Sequence, residues 1–146
     1  MLRMARSSYH LATLFLMTAA GALLYLILQH QFMYKYVWEY SSTTLSLPLL
    51  ISTFYAGQEG SFSLWALYTS IIGLFLMRYA SRRGYEAEAM SVYSLIFSFL
   101  LLMLVVKNPF ELIWNAFPAD LIKAGPIPPG VTNIAVLDAA KGLWAQ

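Results

Sequence analysis

Three uncharged stretches of 18 residues constrain this chain more than any other feature of its sequence. They are Leu11–Leu28, Gly60–Met77 and Ala89–Val106. Because an α-helix rises about 1.5 Å per residue, each stretch reaches about 27 Å, which is close to the thickness of the hydrocarbon core of a bilayer. The sequence therefore predicts an all-α integral membrane protein with three transmembrane helices.

The composition agrees with this class and excludes several others. Charged residues make up 11% of the 146 residues, against about 25% in soluble globular domains. A net charge of +2, without a basic patch interleaved with aromatic residues, gives no reason to expect a nucleic-acid partner. Cysteine is absent, which excludes disulfides, thiolate metal sites and cysteine nucleophiles.

No catalytic constellation is visible in the sequence from first principles. There is no Ser/His/Asp set, no glycine-rich phosphate loop and no pair of carboxylates on one helix face. The two histidines, His10 and His30, cannot form a metal cage by themselves.

Arginine clusters flank two of the three apolar stretches. Arg3 and Arg6 precede the first stretch, and Arg78, Arg82 and Arg83 follow the second. Because Lys/Arg-rich flanks belong on the cytoplasmic side, both clusters share that side only if an even number of spans separates them. The predicted topology places the N-terminus inside, residues 29–59 outside, residues 78–88 inside and residues 107–146 outside.

A fourth apolar stretch, Leu45–Tyr55, is predicted to be an interfacial or re-entrant segment in the first outer loop. It has only 11 residues, carries Pro48 and follows a Ser/Thr run, so it is too short to span a bilayer. Counting it as a span would also place the two arginine clusters on opposite sides of the membrane.

The first apolar stretch has a basic N-terminal flank, which is also typical of a secretory signal peptide. The stretch is too long for one, however, and it ends in Gln29-His30-Gln31-Phe32 without a small-residue cleavage site. An uncleaved signal anchor fits these flanks better.

The chain divides at residue 107 into a membrane region, 1–106, and an extracytoplasmic tail, 107–146. Prolines and glycines prevent most of the tail from forming one long helix; they are Pro109, Pro118, Gly125, Pro126, Pro128, Pro129 and Gly130. Within the tail, Ile134–Trp144 is predicted to form a short amphipathic helix on the outer membrane surface, with Leu137, Ala140 and Trp144 on one face.

Aromatic residues crowd the predicted outer side of the membrane. They are Tyr34, Tyr36, Trp38, Tyr40, Phe54, Tyr55 and Trp65. One interpretation is the aromatic belt that membrane proteins place at headgroup level. The other is an apolar platform for a flat ligand.

Small residues predict the faces by which the spans pack against one another or against spans that this chain lacks, because they allow membrane helices to approach closely. On the third span they are Ser91, Ser94 and Ser98. On the first span they are Ala19, Ala20, Gly21 and Ala22.

Glu59 is the candidate site residue with the clearest physical signal, because it lies at the mouth of a membrane span between Gly57 and Gly60. One interpretation is structural: both glycines break the chain, a helix starts just after Glu59, the helix dipole favours an acid there, and Ser61 caps that end. The other is functional, since carboxylates beside membrane spans are unfavourable without a role.

Three motifs follow one another along the chain in a recognisable order. They are Tyr36-Val37 before a Ser-containing stretch, then Gly57-Gln58-Glu59-Gly60-Ser61 leading to Leu64-Trp65, and finally Asn108-Pro109-Phe110. Together they resemble the CcmF/NrfE type of cytochrome c haem lyase, within the wider cytochrome c assembly protein family. Two positions depart from the family pattern: Ser46 replaces a proline, and Ser63 replaces a leucine.

The resemblance implies a protein of the inner (plasma) membrane that attaches haem to apocytochrome c on the outer face. Haem is the implied cofactor, with Trp38 and Trp65 as candidate contacts. The family's haem ligands lie beyond the matching region, and neither His10 nor His30 occupies a ligand position. The implied partners are the lipid bilayer, the remainder of the haem lyase, other cytochrome c maturation proteins, apocytochrome c and a haem chaperone.

Relative to the family, the chain ends at Gln146, before the tryptophan-rich haem-handling loop. The expectation is therefore an N-terminal part of a haem lyase that does not catalyse the reaction by itself. The alternative is a small non-catalytic membrane subunit that packs against a partner membrane protein.

Overall fold

The structure, a computed structural model, describes residues 2–116 of the chain. Within that range the regular elements are helical: α1 Leu2–Leu28, α2 Lys35–Tyr40, α3 Leu47–Ser52, a 3₁₀ turn at Thr53–Tyr55, α4 Gln58–Arg83, α5 Glu86–Val106 and α6 Ile113–Ala116. The predicted amphipathic helix Ile134–Trp144 and most of the proline-rich tail lie outside the described residues.

The predicted apolar stretches lie within α1, α4 and α5, and these three helices are long and apolar enough to cross a membrane. For the described part of the chain, the prediction of an all-α fold with three such helices is therefore confirmed. The predicted inner loop 78–88 is shorter than expected, since only residues 84 and 85 separate α4 from α5. Gly84 ends α4 with φ of 83°, a left-handed conformation that glycine adopts without steric cost.

The chain forms two compact units, whose described parts are residues 2–22 with 58–107 and residues 23–57 with 108–116. In the first unit, α4 packs along α5. The buried face of α4 consists almost entirely of small residues spaced three or four apart, which allow close approach of a neighbouring helix; they are Gly60, Ser63, Ala66, Ser70, Gly73 and Ala80, with Met77 the one large member.

Within the described residues, the packing faces predicted on the other two spans are used only in part. On α5, Ser91 and Ser98 are exposed, because the aromatic ring of Phe97 occupies the buried face instead. On α1, Ala20 is buried, but Gly21 has no neighbouring atom within 4 Å of the position a Cβ would take.

The second unit has its own apolar core, drawn from the end of α1, the following turn, α2 and α3. Its buried members are Leu23, Ile27, Phe32, Tyr36, Val37 and Leu50. The prediction that Tyr36 belongs to an exposed aromatic belt or platform is wrong, because its side chain is only 2% exposed.

The segment Leu45–Tyr55 contains only the short α3 and the 3₁₀ turn. Pro48 lies in the first turn of α3, where its missing N–H removes no helical hydrogen bond. Helices of this length cannot span a bilayer, which agrees with excluding the segment from the spans. Its position at the membrane interface stays a prediction.

Large apolar side chains cover the outward faces of the three long helices. Examples that are more than half exposed are Phe15 on α1, Phe75 on α4, and Leu95, Phe99 and Val105 on α5. In water, apolar surface of this extent would be unfavourable. It suits helices whose outer faces meet lipid or another membrane protein.

Candidate functional site

The first two motifs meet inside the second unit, at the hydroxyl of Tyr36. This hydroxyl lies 2.9 Å from the carbonyl oxygen of Thr53 and 3.1 Å from that of Phe54, so it donates to the 3₁₀ turn. It also accepts a hydrogen bond of 3.2 Å from the backbone N–H of Gly57. Because the site is buried, these bonds satisfy backbone groups that water does not reach.

Gly57 is required by close packing against two tyrosine rings. A Cβ at this position would lie 2.5 Å from Cε2 of Tyr40 and 2.8 Å from Cε2 of Tyr36. The two rings pack on each other, with centroids 4.9 Å apart. The pairing of an aromatic residue at 36 with a glycine at 57 therefore has a structural explanation.

The expected chain break around Glu59 is absent, because α4 begins at Gln58. Gly60 lies inside the helix and belongs to the buried small-residue face. Ser61 is also inside the helix, so the interpretation of Ser61 as its N-cap is wrong. Glu59 falls in the first turn, where the positive end of the helix dipole favours a carboxylate by about 0.3–1 kcal/mol.

The remaining residues of the second motif lie on the surface of the first unit. Gln58 is exposed, and Glu59 and Ser61 are partly exposed. Trp65 is 56% exposed, and its ring packs edge-on against Phe62 with centroids 5.7 Å apart. Trp65 thus offers a flat apolar surface one to two turns into α4.

Trp38 and Val37 belong to the second unit. Val37 is fully buried in the core, and Trp38 packs against that core while remaining partly exposed. Contact of either Trp38 or Trp65 with a cofactor stays a prediction.

The third motif closes the second unit after α5. The Oδ1 of Asn108 accepts a hydrogen bond of 3.0 Å from the N–H of Phe110, which is the local turn that Asn side chains favour. Pro109 is buried, and Phe110 packs against the core of the unit. The motif therefore has a structural role.

The residues that follow this turn pair with the start of α2. The backbone N–H of Lys35 donates to Glu111 at 2.8 Å, and the N–H of Ile113 donates to Met33 at 3.0 Å. The Nζ of Lys35 also lies 3.6 Å from a carboxylate oxygen of Glu111.

The two histidines have different environments. His10 is exposed on α1. His30 lies just after α1 with φ of 50°, and its N–H donates to Ile27 while that of Gln31 donates to Leu26. This pair of bonds is the Schellman motif that ends many helices, with His30 where glycine is usual.

The ring of His30 packs near Phe32, with centroids 5.8 Å apart. Its Nδ1 is buried without a hydrogen-bond partner among the described residues. No group of three or more His, Cys, Asp or Glu side chains that could hold a metal ion occurs within residues 2–116.

Sequence reasoning missed an ion pair in the first unit. The Nε of Arg6 donates to Oε1 of Glu86 at 2.6 Å, a second guanidinium nitrogen bonds Oε2 of the same carboxylate, and it also reaches Ser81 at 2.8 Å. Glu86 is only 7% exposed. The sequence did contain a signal for this pair. Glu86 follows the arginine cluster at 78–83, and the predicted topology places that cluster on the same side of the membrane as Arg6.

Two tyrosines of the first unit were also missed. Tyr93 of α5 donates to the carbonyl oxygen of Thr69 at 2.9 Å, and Tyr9 of α1 donates to that of Ser70 at 3.2 Å. The Tyr9 hydroxyl occupies the space beside Gly73 that a Cβ would need. Both tyrosines thus bind the backbone of α4 where its small residues leave room.

Comparison with curated proteins gives a match to the cytochrome c-type biogenesis protein CcmF of Pseudomonas fluorescens. The two are 33% identical over 112 residues, which is 73% of this chain and 16% of that protein. No family model matches the sequence, and no solved structure matches the fold. The chain spans about one sixth of the relative's length, and over the matched residues it is similar to a cytochrome c-type biogenesis protein.

Proposed function

We propose that this chain is a membrane-embedded scaffold part of a haem lyase, which attaches haem to apocytochrome c on the outer face of the membrane. The similarity to a cytochrome c-type biogenesis protein supports this role. The observation that carries the proposal is the bond between Tyr36 and Gly57, because it links two motifs of the resemblance in one buried arrangement.

In this role, the Tyr36 hydroxyl fixes the turn that ends at Gly57, the residue directly before α4. Glu59 lies in the first turn of α4, and the exposed ring of Trp65 lies further along the same helix. The chain thereby contributes support and apolar contact surface to the outer vestibule. The protein lies in the inner membrane. Its N-terminus is on the cytoplasmic side and its C-terminal tail is on the outer side.

Haem fits the described residues as a contact partner and not as a ligated group. The exposed indole of Trp65 can pack against the flat face of a porphyrin. Each compact unit contains one histidine, His10 or His30, so neither unit supplies a pair of histidine axial ligands from within itself. When bound, haem supplies the vinyl groups that become bonded to cytochrome thiols.

The alternative function is a small non-catalytic membrane subunit. The exposed apolar faces of α4 and α5 favour it, because such faces can pack against a partner membrane protein as well as against lipid. The two functions differ in whether loss of the chain abolishes haem attachment or only lowers the amount of a partner protein.

The test is to delete the gene and stain c-type cytochromes for covalently bound haem, then to complement with variants. Wild type and Gly21→Ala should restore staining, because Gly21 has no neighbouring atom within 4 Å of a Cβ. Gly57→Ala should restore less, because its Cβ meets two tyrosine rings. Wild-type staining in the deletion strain would overturn the proposal.

A further inference from the structure

A cleft of about 820 Å³ opens in the first unit between α1 and α4, near the end of α4 that carries its arginines. Its polar end is lined by Arg6, His10, Arg78, Ser81 and Arg82. The rest of the cleft is lined by apolar side chains, among which Met17, Ile71, Leu74 and Phe75 lie further along the helices.

The amphipathic character of the cleft follows from one face of α4. Positions 71, 74, 75, 78 and 82 are spaced three or four apart and therefore share a face of the helix. Along this face the side chains change from Ile71, Leu74 and Phe75 to Arg78 and Arg82. Since each residue rises about 1.5 Å, the change occurs over one to two turns, or about 10 Å.

The positive charge at the polar end is only partly compensated. Arg6 is paired with the carboxylate of Glu86. Neither Arg78 nor Arg82 forms an ion pair with a carboxylate among residues 2–116. Two exposed guanidinium groups therefore remain available beside an apolar groove.

Arg83, the third arginine of the cluster, is directed elsewhere. Its guanidinium lies over the ring of Tyr79, 4.8 Å from the centroid, and it does not line the cleft. A rule that only requires positive charge at this end of the span does not distinguish Arg83 from Arg78 and Arg82. The structure does distinguish them, because Arg78 and Arg82 line the cleft and Arg83 does not.

From this arrangement we propose that the cleft binds an anionic phospholipid. The headgroup phosphate lies between the guanidinium groups of Arg78 and Arg82, and an acyl chain follows Phe75 and Ile71 along the helix. Basic pockets between membrane helices are suited to phosphate headgroups, and guanidinium binds phosphate through paired hydrogen bonds. A zwitterionic lipid would bring its own cation towards the arginines and is disfavoured.

The test measures lipid binding to the 146-residue chain in detergent by native mass spectrometry, with phosphatidylglycerol or phosphatidylcholine of matched acyl chains as probes. We expect phosphatidylglycerol to bind more tightly. The double variant Arg78→Gln/Arg82→Gln should weaken its binding roughly 25-fold, since each lost basic residue near the headgroups costs about a factor of five.

Arg83→Gln is the matched control, because it removes one charge from the same helix turn without touching the cleft. It should bind phosphatidylglycerol like the wild type, and Arg78→Lys/Arg82→Lys should retain most of the affinity. Circular dichroism of every variant checks that helical content is unchanged.

Three results would overturn the proposal. The first is equal binding of the two lipids, and the second is a loss of phosphatidylglycerol binding in Arg83→Gln as large as that in Arg78→Gln/Arg82→Gln. The third is competition by soluble glycerol phosphate as strong as that by the lipid, which would assign the site to a free phosphate compound instead.

Discussion

The hydroxyl of Tyr36 accepts a hydrogen bond of 3.2 Å from the backbone N–H of Gly57, 21 residues further along the chain. The same hydroxyl lies 2.9 Å from the carbonyl oxygen of Thr53. Gly57 also leaves the space into which the Tyr36 and Tyr40 rings fit. These two motif residues are therefore a packed pair, and each depends on the identity of the other.

Tyr36→Phe tests this pair by removing the hydroxyl while keeping the ring. The N–H of Gly57 loses its buried acceptor, and a buried group left unsatisfied costs about 1–3 kcal/mol. We expect a lower free energy of unfolding in detergent, measured by denaturant titration. Tyr25→Phe is the control, because Tyr25 is 62% exposed; equal stability of the two variants would contradict the role assigned to Tyr36.

His30 gives a second prediction, because it occupies the left-handed position that ends α1. A residue other than glycine there carries a steric cost of roughly 1–2 kcal/mol. We expect His30→Gly to be at least as stable as the wild type and the β-branched His30→Val to be less stable, both measured by thermal unfolding in detergent.

The same pair of variants separates a structural role of His30 from a ligand role. If His30 only ends the helix, haem staining of c-type cytochromes should be retained in His30→Gly. Loss of staining in a variant whose stability is unchanged would show that the imidazole itself is needed.

The ion pair between Arg6 and Glu86 gives a third prediction. Glu86→Gln removes the charge that the Arg6 guanidinium contacts through two nitrogens, so the midpoint of thermal unfolding should fall. Glu88→Gln is the matched control, because Glu88 is an exposed acid in the same first turn of α5. A double-mutant cycle with Arg6→Gln should give a coupling that Glu88 lacks.

Hydropathy and length were sufficient to predict α1, α4 and α5, because a bilayer requires a minimum run of apolar residues whatever the tertiary packing. They were not sufficient to predict helix starts. Gly57-Gln58-Glu59-Gly60 suggests a chain break, yet α4 begins at Gln58. Gly60 is buried inside α4, so the weak local preference of glycine against helix does not interrupt the helix there.

The packing faces depend on tertiary contacts that spacing alone does not reveal. Ser91 and Ser98 have the right spacing for a packing face but are exposed. The buried face of α4 was readable from small residues at intervals of three and four, including Ala66, Ser70 and Gly73. The tyrosines that fill the resulting space come from distant positions in the sequence, so the sequence pattern of α4 does not identify them.

Glu59 gives the last prediction, since it combines a structural explanation with a position inside a motif. The helix dipole accounts for about 0.3–1 kcal/mol, which is too little to unfold the chain when it is lost. Glu59→Ala should therefore leave the amount of protein in the membrane unchanged, and any large defect in haem-stained cytochrome would come from function.

In cells that mature c-type cytochromes, we expect Glu59→Ala to lower the amount of haem-stained cytochrome more than Glu39→Ala does. Glu39 is the matched control because it is an exposed acid near the end of α2 and lies outside the motif positions. Immunoblotting of the membrane fraction normalises each variant to its own abundance. Equal, wild-type staining in both variants would show that Glu59 has only the structural role of a charge at the end of the helix.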